Sequence, residues 1–230
     1  MAAPAFDAAA TSSAAAATDI TTAITVANVA NRVLYCCILD PTQAGVTSCT
    51  YNTTETMTSI ATGSFNAATA NWYLYRLIAP TATTANVVTV KTASGSMRQV
   101  VCCYNGVSQA TPDPDDGADE AEGSGTAAQN TVTTQAGDTA IAWCLSDGTS
   151  TFAPASGETE RFDDALASTL YELAGADTTV SFDVTLGTSR PWVVIGLNLN
   201  AVAACGDPEG SLIGGKLLRG GLLLHGVLGR

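Results

Sequence analysis

Short runs of Val, Ile, Thr and aromatic residues, broken by Gly, Pro, Asn or Asp at a spacing of roughly 8–12 residues, set the rhythm of this chain. Such runs are too short for helices to bury a stripe, and their β-branched side chains fit a pleated, half-buried surface. Strands are expected over Thr21–Ala27, Arg32–Leu39, Val46–Tyr51, Thr56–Ala61, Trp72–Ile78, Asn86–Lys91 and Met97–Tyr104. They resume over Thr131–Gln135, Thr139–Leu145, Glu158–Phe162, Thr178–Val184 and Pro191–Leu199, with Asp164–Leu173 open between strand and helix. Asp40-Pro41 and Ala79-Pro80 close two of these runs, because proline supplies no ladder donor. The expected class is therefore all-β, an antiparallel, jelly-roll-like β-sandwich.

Three regions follow from the pattern. Residues 1–19 are small and lack apolar periodicity, so they read as an N-terminal arm. Residues 20–200 form the sandwich, interrupted by an acidic loop at 112–126, and residues 201–230 form a linker and tail. The start of the chain lacks the basic residues and leucine-rich core of a secretory signal, so a secretory route is not expected. Without that route, Asn52-Thr53-Thr54 is read as a turn and not as a glycosylation acceptor.

The tail Gly210–Arg230 departs from this rhythm. Apolar pairs recur every five residues at Leu212-Ile213, Leu217-Leu218, Leu222-Leu223 and Val227-Leu228. A step of five builds no single face on a helix, and in a strand it alternates faces. Seven glycines argue further against helix, and the run is too broken to span a membrane. Such a segment needs a partner surface. Leu212, Leu217, Leu222 and Val227, with Lys216 and Arg219, are the expected assembly residues.

Charge sharpens that expectation. Before Gly210, six basic against twenty-one acidic residues give −15, whereas the tail carries Lys216, Arg219 and Arg230 with no acid, giving +3. An acidic body repels phosphate, so nucleic acid is not an expected partner. A basic tail suits the acidic body of a neighbouring copy.

Catalytic groupings are scarce. The single histidine, His225, sits in the tail, which leaves little basis for a nucleophile–histidine system. Glu158/Glu160 and Asp163/Asp164 are paired carboxylates, but they read as edge-strand and capping residues before they read as a glycosidase pair. The seven cysteines include the adjacent pairs Cys36-Cys37 and Cys102-Cys103, which lack zinc-knuckle spacing and read as reduced core thiols. In the acidic loop, Asp113, Asp115 and Gly117 approach a calcium-loop pattern, but Glu122 falls too early, and a solvated insertion is preferred. Trp72, Tyr73 and Tyr75 suit either sugar stacking or a core, and adjacent positions on a strand send at least one of Trp72 and Tyr73 inward. Trp192 reads as a plug at the sandwich end. No catalytic residue, cofactor or metal ligand is assigned.

From Ala30 to Leu199 several stretches carry a likeness: Asn31-Arg-Val-Leu-Tyr35, Trp72-Tyr-Leu-Tyr-Arg-Leu-Ile-Ala-Pro80, Tyr104-Asn-Gly-Val-Ser-Gln-Ala-Thr-Pro112, Gly157-Glu-Thr-Glu-Arg-Phe162 and Ser189-Arg-Pro-Trp-Val-Val-Ile-Gly196. Together they resemble a β-sandwich module common in tailed-phage virion structural proteins, of decoration or fibre type, and in bacterial surface proteins. The tail is similar to a short pentapeptide-repeat coil, with Leu212, Leu217, Leu222 and Val227 at the inward position. The cysteine pairs and the acidic loop depart from the module's usual residues. The resemblance implies a non-enzymatic virion structural protein, a capsid decoration or cement subunit held by its terminal arms. Its expected partners are copies of itself, as a trimer or higher homo-oligomer, and other capsid proteins, with neither nucleic acid nor membrane. The alternative it implies is a fibre or adhesin module that binds host-surface carbohydrate.

Overall fold

The computed structural model describes residues 2–110, 115–164, 168–176 and 178–202. Among them are thirteen strands and no helix. In chain order they are β1 (Ala5–Thr25), β2 (Val33–Asp40), β3 (Val46–Tyr51), β4 (Glu55–Thr56), β5 (Thr58–Phe65), β6 (Ala70–Ile78), β7 (Thr84–Asn105), β8 (Asp115–Thr133), β9 (Thr139–Ser146), β10 (Phe152–Pro154), β11 (Thr159–Asp163), β12 (Ser168–Ala174) and β13 (Thr179–Leu199). All pairings are antiparallel. The all-β antiparallel sandwich expected from the sequence is the architecture found.

The two halves of the chain repeat one plan. In the first sheet the order is β4-β3-β7-β2-β6-β5, with β1 along the other side of β7. In the second it is β10-β13-β9-β12-β11, with β8 along the other side of β13. Each half thus opens with a long edge strand, closes with its long partner, and inserts a fully buried short strand beside that partner, β2 or β9.

Each long partner strand also folds over its own sheet. The early part of β7 pairs with β3 and its later part with β2, while β1 follows both. The bend lies at Gly95, where a Cβ would collide with Thr42 Oγ1. Opposite it, β1 shifts register between Ala14 and Asp19, which accommodates the turn of the ladder. Across the fold, Gln99 Nε2 donates to Thr22 Oγ1 at 2.9 Å, and Thr89 Oγ1 donates to Gln99 Oε1 at 2.5 Å. The second half uses the same device. β13 shifts register between Thr185 and Arg190, and a Cβ at Gly187 would collide with Thr151 Oγ1.

Three apolar layers result. The first lies inside the folded first half, around Ile20, Leu34, Ile38, Val87 and Met97. The second lies between the two sheets, around Tyr35, Leu74, Trp143, Leu170 and Val193. The third lies inside the second half, around Val132, Phe182, Val184 and Tyr171. Alternation along the strands distributes the thiols: Cys37 and Cys102 face the central layer, Cys36 and Cys103 the first.

Two regional boundaries need correction. Ala5–Asp19, expected as an arm, belongs to β1 and pairs with β7 from Asn105 to Val90. Residues 115–126 of the expected acidic loop belong to β8 and pair with β13. Both are edge strands with much of their surface in solvent, so small or acidic side chains satisfy them and no apolar run announces them. Of the segment left open between strand and helix, Ser168–Leu173 lies in β12.

Candidate assembly surface

The expected anchors Leu212, Leu217, Leu222, Val227, Lys216 and Arg219 lie outside the described residues. What the fold does place in view is a pair of long open edges. β1 pairs only with β7 and β8 only with β13, so the outer backbone groups of each meet no second strand among the described residues.

The two edges differ in how they meet solvent. β8 carries Asp115, Asp116, Asp119, Glu120 and Glu122, interleaved with Gly117, Gly123 and Gly125. Charge is an ordinary means of keeping an edge from templating another strand, and glycine weakens the strand itself. β1 has neither between Asp7 and Asp19: Ala8–Thr18 is Ala, Thr and Ser throughout. From Ala8 to Ala14 its register on β7 is also regular, with no bulge to twist it away. Both faces of this stretch touch the body, with Ala8, Ala10 and Ala14 against the first apolar layer and Phe6 and Ala9 against the central one, so that only its outer edge stays open. Asp7, at its start, accepts from the backbone N–H of Ala27 at 2.9 Å.

One carboxylate of each pair, Glu158 and Asp164, is held in structural bonds. Glu158 accepts from the backbone N–H groups of Asp183 at 2.6 Å and Ala155 at 3.1 Å, while partial burial raises its pKa. Asp164 accepts from Ser168 N–H and Oγ and pairs with Arg98 at 3.3 Å. Arg161 pairs with Glu172 at 2.7 Å and lies over the Phe6 ring, which ties β11 and β12 to β1.

The thiols and aromatics are also interior. All six described cysteines are buried and unbridged. Burial raises the thiol pKa of Cys37, Cys102 and Cys144, and pushes that of Cys103 up to about 12. Trp72 packs in the central layer beneath Gly63, and Tyr73 lies on the opposite face against the first layer. Tyr75 is buried in the first layer as well. Trp192 sits in the third layer against Gly123, opposite Ser146 at the end of β9.

At the junction of the halves Asp115 is buried at the start of β8, where Tyr35 Oη and Arg76 Nη1 each donate to its Oδ2 at 2.9 Å. That bond set joins the acidic segment to the first sheet. It escaped sequence reasoning because its members stand 80 and 39 residues apart. The open edge of β1 escaped for a different reason, since alanine gives little contrast between the two faces of a strand.

No protein-family model, no curated protein and no solved structure matches this chain.

Proposed function

We propose that this protein is a structural, non-enzymatic subunit of a tailed-phage particle, a capsid decoration or cement protein that associates with copies of itself and with the capsid. The observation that carries this reading is the unguarded edge of β1, a regular seven-residue stretch from Ala8 to Ala14 with its outer backbone groups open. Edge-to-edge pairing with a second copy extends the first sheet across the interface and satisfies those groups. The acidic guard on β8 directs such pairing to β1. The likeness of Ala30–Leu199 to virion sandwich modules supports the particle as the setting, and the basic tail supplies a second attachment.

Deleting Gly210–Arg230 and adding the truncated protein to particles that lack it tests the attachment. The full chain is expected to co-sediment with particles and the truncated chain to remain in the supernatant. Equal co-sedimentation removes the tail from the account. Strong, selective binding on a glycan array, without particle attachment, supports instead the host-carbohydrate reading.

A further inference from the structure

A compact oxygen-rich cluster lies where the start of β8, the turn before β9 and the end of β13 meet. Asn198 Nδ2 stands 3.0 Å from Asp116 Oδ2, 2.9 Å from Asp138 Oδ2 and 3.0 Å from Asn200 Oδ1. Asn200 Nδ2 donates to the other oxygen of Asp116 at 2.9 Å, and Ala201 N–H donates to Asp138 Oδ1 at 2.9 Å.

Two features of this cluster point to a cation ligand. An amide nitrogen carries two hydrogens, so it cannot serve three acceptors, while Asn198 Oδ1 is buried with no hydrogen-bond partner and the residue is 1% exposed. Independently, neither Asp116 nor Asp138 is in an ion pair among the described residues, although Asp138 is 8% exposed. Burial of a carboxylate beside a second one is costly without a cation.

Turning the Asn198 amide by half a rotation exchanges its oxygen and nitrogen without moving the rest of the residue. Its orphaned oxygen then faces Asp116 Oδ2, Asp138 Oδ2 and Asn200 Oδ1. Such a set of oxygens repels itself when empty. Around a calcium ion, oxygen ligands at 2.3–2.6 Å stand roughly 3 Å from their neighbours, which is the distance from the Asn198 amide to each of its three neighbours here.

We propose that Asp116, Asp138, Asn198 and Asn200 form a calcium-binding site that clamps the start of β8 to the end of β13. Two carboxylates and two amide oxygens suit a hard cation, and exposed Asp116 gives the ion an entry from solvent. The site is displaced from the calcium pattern weighed at Asp113, Asp115 and Gly117: Asp115 turns inward to Tyr35 and Arg76. Three of its four ligands come from outside the acidic segment, which is why spacing within that segment did not reveal it. The inference does not depend on the assembly reading.

Titrating the chelator-treated full chain with CaCl2 by calorimetry tests it. One saturable site per chain is expected, with a Kd of about 10⁻⁴ M or tighter, and a matching rise of Tm. Asp116→Asn, at an exposed position, is expected to weaken binding at least about tenfold and to abolish the Tm rise. Asp119→Asn, on the same strand outside the cluster, is expected to leave both unchanged. An absence of saturable binding at millimolar CaCl2 overturns the proposal. So does equal weakening by the two substitutions, which would reduce the effect to screening of an acidic surface.

Discussion

Asp115 shows how one side chain joins the halves of this molecule. It is a buried carboxylate whose Oδ2 takes both the Tyr35 hydroxyl and the Arg76 guanidinium. Removing the guanidinium leaves a buried anion with a single neutral donor. Arg76→Met is therefore expected to cost about 3–5 kcal/mol in urea denaturation. A loss under about 1 kcal/mol would mean that the pair is solvated like a surface bridge. The thiols give a pH dependence at the same scale. An unfolded thiol ionises near 9.0, whereas folded Cys103 does so only near 12, and Cys37, Cys102 and Cys144 are displaced in the same direction. Above about pH 9 the folded chain retains protons that the unfolded chain has lost, so stability falls as pH rises. Thermal melts are expected to hold steady through pH 8 and to drop from pH 9 upward. Peptides holding these cysteines should resist iodoacetamide in the native protein and label after denaturation.

At the scale of the element, the two bends carry the architecture. Gly95 and Gly187 let β7 and β13 fold over their own sheets, each against a threonine from the loop beyond the half's buried central strand. Gly95→Ala is expected to destabilise by about 1–3 kcal/mol through overpacking, measured by chemical denaturation. These bends also explain what sequence reading caught and what it missed. Val46–Tyr51 was legible to the residue, because Gly45 and Asn52 bound a short run in which Cys49 and Tyr51 both turn inward. Asn86–Lys91 and Met97–Tyr104 read as separate strands because the glycine bend interrupts a single ladder, β7; Thr178–Val184 and Pro191–Leu199 merge into β13 for the same reason. The edge strands were the least legible. β1 and β8 hold their places by one-sided backbone pairing, which leaves no apolar signature over Ala8–Ala17 or Asp116–Glu122. The cation cluster was illegible for a related reason, since Asp116 and Asn198 meet only through the β8–β13 ladder.

Across the whole molecule, the repeated plan leaves two long edges, one guarded by acid and one not. The acidic body, at −15, and the basic tail, at +3, add an electrostatic preference for neighbours of the same kind. Association that uses this attraction is expected to weaken as salt rises from 50 to 500 mM, whereas backbone pairing along β1 is much less sensitive. On the proposed function, the chain assembles through the edge of β1. Sedimentation velocity of the full chain beside Ser13→Lys/Ala15→Lys, two exposed positions on β1, tests it most directly. A trimer or larger species is expected for the native chain, with a shift toward monomer when like charges meet across the edge. A native chain that sediments as a monomer at every concentration, or a lysine variant that assembles as readily as the native chain, would contradict it.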